Sequence, residues 1–139
     1  MPESEGGGSV YPAECPFILV DKLLASVPGE RAVGLRNVTA NDPLIAGGGG
    51  GAASLRRSLL VDAFAQLIAM ALVPEGERPV PVEISRIEAM SFLRSPIPGD
   101  QIALTVEITP GKDEAAAKRA KCRAEVGGEL IAEGEIEFE

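Results

Sequence analysis

NVTANDPLIAGGGGGAASLRRSLLVDAFAQ, residues 37–66, is the stretch on which the fold turns. Five consecutive glycines, Gly47 to Gly51, separate a loop rich in Asn, Asp and Pro from a segment with helical periodicity. From about Ala53 to Val73 the residues Leu55, Leu59, Leu60, Ala63, Phe64, Leu67, Ile68, Ala71 and Leu72 recur at the three-and-four spacing of one helical face. Pro74 and Gly76 stop the helix. One acid, Asp62, is placed on the apolar side of this helix, and the chain contains no histidine.

Outward from the helix the period changes to two. Before it, Pro28-Gly29-Glu30 forms a turn between extended runs at Val20 to Val27 and Arg31 to Val38. After it, strands are expected at roughly Val80 to Phe92, Gln101 to Thr109, Ala115 to Val126 and Leu130 to Phe138. Ile102, Leu104, Val106 and Ile108 alternate with Ala103, Thr105, Glu107 and Thr109, so one face of that strand needs a cover. Periodicity therefore predicts an α+β domain, one long helix against a mostly antiparallel sheet. The last two strands also imply a register. Pairing Arg123 with Glu133, Lys121 with Glu135 and Arg119 with Glu137 sets opposite charges side by side on the outer face. It also keeps Ala124, Cys122 and Ala120 facing Ala132, Gly134 and Ile136 inside. That register calls for a three-residue loop or a bulge at Gly127-Gly128, because a two-residue turn would instead set Cys122 against Glu133.

The motifs resemble those of the hot-dog-fold 3-hydroxyacyl-[acyl-carrier-protein] dehydratases. In that family an N-V-T-x-N-E/D-P stretch leads to G-H-F-P, and the Glu of E-A-x-A-Q follows the His at a fixed distance; here Asn37 to Pro43 and Asp62-Ala63-Phe64-Ala65-Gln66 occupy these places. Counting back from Asp62 without a gap puts Gly48 where the family has its His. Pro16-Phe17-Ile18-Leu19-Val20-Asp21-Lys22 is similar to the family's Y-P-F-L-L-V-D-R, with Cys15 in place of the Tyr. Phe92 to Asp100 is similar to F-R-x-P-V-x-P-G-D, and the hairpin through Val126-Gly127-Gly128-Glu129 and Ala132-Glu133-Gly134-Glu135 agrees as well. Together these cover most of residues 14–139, and they imply a hot-dog domain in which a curved sheet wraps the central helix.

The resemblance implies a site and a reaction. Dehydrating a 3-hydroxyacyl thioester needs a base for the proton beside the carbonyl, an acid for the departing hydroxyl and donors for the carbonyl oxygen. In the family a His and a Glu from two subunits divide the proton work. Gly48 has no side chain for the first role, and Asp62 is shorter than Glu by about 1.5 Å. Losing one such group costs about a hundred- to ten-thousand-fold in rate, so the expectation is weak or no dehydratase activity. The backbone N–H that holds the thioester oxygen falls at Arg57, and Arg56, Gln66 and Phe92 fall at substrate-binding positions. Arg56-Arg57 replace the family's Pro-Gly; two cations there can attract a phosphopantetheine phosphate or an acyl carboxylate, or fill the tunnel. Asp62 itself reads either as a site acid or as a structural carboxylate paired with Arg56 or Arg57. It also suits an acyl thioesterase, since some hot-dog thioesterases work with one helix carboxylate and a helix-end N–H. A third reading is a non-catalytic acyl-binding or structural subunit that pairs with an active homologue. A homodimer or such a hetero-oligomer, acting on acyl-carrier protein or coenzyme A thioesters, is implied, and no cofactor.

Composition limits the alternatives. A chain of 139 residues forms one domain that buries roughly two thirds of its unfolded surface. Lysine and arginine number 13 against 21 acids, a net charge of −8 that repels nucleic acid and anionic membrane. Cys15 and Cys122 lack the companions of a zinc site and read as reduced thiols. The glycine run lacks the Gly-Lys-Ser/Thr of a phosphate loop. Residues 1–13 are a polar, glycine-rich lead expected to stay loose, with no signal-peptide pattern, which makes the cytoplasm the default location. The basic row on the penultimate strand reads as a solvated face in preference to a carrier-docking patch.

Overall fold

The alternating stretch at 101–109 becomes the strand that carries the helix. In chain order the elements are β1 (Lys22–Val27), β2 (Arg31–Asn37), β3 (Ile45–Ala46), β4 (Ser54–Leu55), α1 (Arg57–Ala71), β5 (Ile84–Phe92), β6 (Gln101–Thr109), β7 (Lys118–Val126) and β8 (Glu129–Phe138). The computed structural model describes residues 19–39, 45–46, 54–55, 57–74, 76–109 and 118–139; the glycine-rich lead and the five-glycine run lie outside these. Six strands form one sheet in the order β1-β2-β6-β7-β8-β5, every neighbouring pair antiparallel. The α1 helix packs on β6, β2 and β1. This is the α+β hot-dog arrangement.

The core forms where the two periodicities meet. Leu60, Ala63, Phe64, Leu67, Ile68 and Ala71 of α1 are buried against Ile102, Leu104 and Val106 of β6 and Ala32 of β2. At Gly34 of β2 an added Cβ would stand 2.8 Å from Val20 Cγ1 and 3.1 Å from Leu67 Cδ1, so the helix approaches the sheet as closely as a bare backbone allows. The β1–β2 turn docks on the helix end, with the Gly29 N–H donating to the Ala71 carbonyl at 2.7 Å. That bond satisfies one of the carbonyls a helix C-terminus leaves open.

Two expectations need correction. Ser54 and Leu55, placed in the helix by spacing, form instead a short antiparallel pair with Ala46 and Ile45, and the helix starts at Arg57. Leu55 fits a helical face and a strand equally well, and the cross-strand ladder supplies its backbone with partners before the first helical turn. The second concerns the hairpin. Its register is the expected one, with Arg123 opposite Glu133, Lys121 opposite Glu135 and Arg119 opposite Glu137. The turn, however, has two residues, Gly127 and Gly128, with φ of 60° and 84°. Both values are positive, as the tight hairpin turn that matches strand twist requires. The extra residue sits further on, where Glu125 pairs with Leu130 and Ala124 with Ala132, leaving Ile131 as the bulge. Ile131 is fully buried, and its carbonyl accepts the Leu93 N–H at 2.7 Å. The bulge thus restores the charge register and ties β8 to the segment after β5. The remaining strand bounds differ from expectation by a few residues at their ends, and residues 110–117 lie outside the described chain.

Candidate active site

Four of the implied site residues are described. Arg57 opens α1, and its guanidinium carbon stands over the Phe92 ring, 5.7 Å from the centroid. The start of the helix and the end of β5 are thereby brought together, although the two residues belong to separate motifs. Asp62 and Gln66 follow on α1. Gly48 and Arg56 lie outside the described residues.

Asp62 does not share the core side of the helix. At about 100° per residue it points roughly 200° away from Leu60, the centre of the buried stripe, and it is exposed in the single chain. Its flanking residues Leu59, Val61 and Gln66 are half-buried, and loss of hydration raises the pKa of its carboxyl above the ordinary aspartate value. A carboxyl in this state keeps its proton to higher pH than a free one. Gln66 is one turn further along, and its amide oxygen accepts the Leu19 N–H at 2.7 Å. That bond ties the segment before β1 to the helix one turn from Asp62, a connection no spacing rule could reveal.

The segment after β5 is clamped by a second polar cluster. Asp100 accepts hydrogen bonds from the Arg94 guanidinium and from the Ile97 N–H, each at 2.9 Å. Burial would raise the Asp100 pKa, but the Ile97 N–H and the Arg94 cation together outweigh it and hold the carboxyl below its ordinary range. Arg94 also reaches Glu129 at the hairpin, 3.5 Å away. Backbone bonds from Val38 N to Asp100 O and from Gly99 N to Val38 O join this turn to the end of β2. The conspicuous R-S-P-I-P-G-D pattern therefore acts as a brace behind Phe92.

Other groups are set apart from this cluster. The basic row of β7 is matched by the chain's own acids, with Arg119 within 3.9 Å of Glu88, Glu135 and Glu137, and Arg123 3.1 Å from Glu125. A shallow outer depression of about 450 Å³ is lined by Ala89, Glu107, Lys121, Arg123, Glu133 and Glu135, and touches none of the implied site residues. The Cys122 thiol is buried, and that burial, aided by the charge of Glu135, pushes its pKa up to about 12. A thiol so rarely ionised is a poor nucleophile. Among the described residues no group of acids and cysteines has the arrangement of a metal site, and no helix is long and apolar enough to cross a membrane.

Comparison with known proteins bears on this geometry. No family model matches the chain. It is 38% identical over 132 residues to the 3-hydroxyacyl-[acyl-carrier-protein] dehydratase FabZ of Acetivibrio thermocellus, across 94% of this chain and 88% of that protein. It is 37% identical over 131 residues to the protein of the same name from Ruminiclostridium cellulolyticum, across 93% of this chain and 90% of that one. Among solved structures, the dehydratase heterocomplex ApeI:P from Xenorhabdus doucetiae superposes with a TM-score of 0.75 at 12% identity, across 93% of this chain and 86% of that one.

Proposed function

The chain belongs to the FabZ family of 3-hydroxyacyl-[acyl-carrier-protein] dehydratases, and from that premise we propose that it handles acyl thioesters as a member with little or no water-eliminating activity of its own, completed by a homologue that carries the imidazole. The observation that carries this reading is the carboxyl of Asp62, turned away from its own sheet, in a chain without a histidine.

Elimination takes a proton from C2 of the substrate, breaks the bond from C3 to the hydroxyl oxygen and forms the C2–C3 double bond as water leaves. Asp62 suits the delivery of a proton to the departing hydroxyl, because a partly dehydrated carboxyl holds its proton closer to neutral pH. The first N–H groups of α1, beginning at Arg57, suit the thioester oxygen as negative charge grows on it. Phe92 lies under the Arg57 guanidinium, and its ring suits an aromatic wall for the acyl group. Gly48 leaves the abstraction of the C2 proton without a side chain. A partner subunit has to supply that base, and the ApeI:P heterocomplex offers a precedent for pairing within this fold.

The test is turnover of 3-hydroxyacyl and 2-enoyl thioesters by the purified chain, alone and mixed with a histidine-bearing homologue. The expected result is negligible elimination alone, and in the mixture a rate above that of the homologue by itself that Asp62→Asn in this chain abolishes. Brisk elimination by the isolated chain would sink the proposal. Asp62 and a helix-end N–H also suffice for hydrolysis with no histidine, which keeps a thioesterase as the second reading. Thiol release from saturated acyl thioesters, lost in Asp62→Asn, would favour it.

A further inference from the structure

In the sheet order β5 stands three strands away from β6, on which α1 is seated. In a flat sheet that separation would be roughly 14 Å. Yet Phe92, the last residue of β5, meets the side chain of Arg57 at the start of α1, with 5.7 Å from guanidinium carbon to ring centroid. The sheet therefore curls at this corner. We infer that Ala89 is the positioning residue for that contact: it is the extra residue of a bulge that curls β5 over the start of α1 and sets Phe92 against Arg57. The inference deepens the acyl-thioester reading and rests on it for what the contact serves, whereas how the contact is made follows from the backbone.

The register of β5 on β8 reveals the extra residue. Glu88 pairs with Glu135 and Ser91 with Glu133, so Ala89 and Met90 together oppose the single residue Gly134. Met90 takes the inner side: a Cβ built on Gly134 would stand 2.7 Å from the Met90 sulfur, and Met90 packs against the core. Ala89 takes the outer side, exposed to solvent, with a φ of 51°. A bulge whose first residue is in the left-handed region ordinarily has glycine there, because a Cβ is crowded in that conformation. Backbone strain of this kind clusters at functional sites, where the surrounding structure holds it in place.

The bulge decides which way Phe92 faces. Ile87 lies opposite the buried Ile136 and Phe92 opposite the buried Ala132, so both face inward. The interval between them is odd, and strict alternation from Ile87 would turn Ala89 and Ser91 inward and Phe92 outward. One extra residue between Glu88 and Ser91 returns Phe92 to the inner face. A bulge also bends its strand and increases the local twist, which is how sheets acquire curvature. The bulge of β8 at Ile131 adjoins Ala132, and its carbonyl holds the Leu93 N–H, so Phe92 is flanked by one bulge on each of two adjacent strands. The other irregularity of β5, between Ile84 and Arg86, lies at the far end of the strand.

The experiment compares Ala89→Gly with deletion of Ala89 in the full chain. The two differ by one residue without a side chain, so the difference between them reports the bulge alone. Ala89→Gly keeps the bulge and relieves the crowded Cβ; it is expected to raise the thermal midpoint by about 2–5 °C. Deletion leaves Ile87, Met90 and Phe92 alternating inward on a regular strand, so the chain is expected to fold. The position of Phe92 is read by its coupling to Arg57, from Arg57→Ala and Phe92→Leu made singly and together. A coupling of about two- to fivefold in the unfolding equilibrium constant is expected in the parent and in Ala89→Gly, and none in the deletion chain. Binding of 3-hydroxyoctanoyl-pantetheine, followed by calorimetry, is expected to weaken by at least about tenfold in the deletion chain and to be kept in Ala89→Gly. Ala89→Val, which preserves length but resists the left-handed region, is expected to lower the midpoint and the coupling together. A coupling absent from the parent or surviving the deletion overturns the inference, as does a deletion chain that cannot fold, since Ala89 would then belong to the scaffold. The coupling is read without ligand. A parent chain that shows it but binds no thioester sinks the acyl-thioester reading and leaves the role of the bulge supported.

Discussion

The guanidinium of Arg57 lies over the face of Phe92, 5.7 Å from the ring centroid, and so couples the first residue of α1 to the last residue of β5. Both are partly open to solvent, which places the contact at the weaker end of cation–π energies, about 0.5–1 kcal/mol. A double-mutant cycle with Arg57→Ala and Phe92→Leu is expected to return a coupling of about that size in urea unfolding. Arg57→Lys should retain part of it. A coupling of zero would mean that the two ends are positioned by the backbone alone.

The Asp100 brace should matter more. Its carboxylate takes charge-assisted bonds from Arg94 and the Ile97 N–H, and Asp100→Ala removes both bonds. The expected loss is about 1–3 kcal/mol in unfolding free energy. The sign of the pH dependence follows from the lowered pKa. Because the folded carboxyl ionises more readily than the unfolded one, its stabilisation is complete above about pH 4, the unfolded value, and fades as pH falls through the lower folded value. Acid titration of unfolding free energy should therefore fall less steeply below pH 4 in the variant than in the parent chain.

What the sequence made legible, and what it hid, follows from the range of the interactions involved. The alternation of Ile102, Leu104 and Val106 reports directly which face is buried, and the charges of β7 and β8 report their register, because both are properties of neighbouring side chains. The bulge at Ile131 leaves no such mark: one more buried isoleucine looks like any other core residue. The start of α1 was hidden because Leu55 suits either period. Spacing puts Asp62 on the apolar side although it is exposed, because α1 is apolar well beyond its buried stripe, with Leu59, Val61 and Met70 half-buried outside it. Within the site, motif spacing named Arg57, Phe92 and Gln66, but the contact of the first two and the bond from Leu19 to Gln66 arise only when distant segments meet. Gly48 and Arg56 lie outside the described residues, so their part in the site rests on motif spacing.

A close backbone approach at Gly134 gives a prediction that tests the irregular edge strand. An added Cβ there would stand 2.6 Å from Met90 Cα and 2.7 Å from its sulfur. The nearer atom belongs to the backbone of β5 and cannot swing aside as a side-chain end would. Gly134→Ala is thus expected to cost about 1–3 kcal/mol, as overpacking does in well-filled cores. Met90→Ala on the same background should recover little of it, since Met90 keeps its Cα. Measured by thermal or urea unfolding, a neutral Gly134→Ala would indicate that β5 can lift away from β8 at this point.

Asp62 distinguishes a site acid from a structural one by the sign of its effect on stability. Its carboxyl is partly dehydrated, and that loss of hydration raises its pKa. The folded chain therefore binds this proton more tightly than the unfolded chain. The stabilising contribution is full below the unfolded value of about 4, and it is lost as pH rises through the raised folded value. Asp62→Asn removes the cost of ionising the group, so the variant should equal or slightly exceed the parent in stability at pH 7, with the difference shrinking toward pH 4. The gain is small because the residue is exposed. If Asp62 were instead a structural partner for Arg56 or Arg57, the same substitution would lower stability at pH 7, and adding salt would narrow the gap. Urea midpoints for the two proteins across this pH range separate the alternatives. A stable variant that has lost its acyl-thioester chemistry would place Asp62 in the site and not in the scaffold.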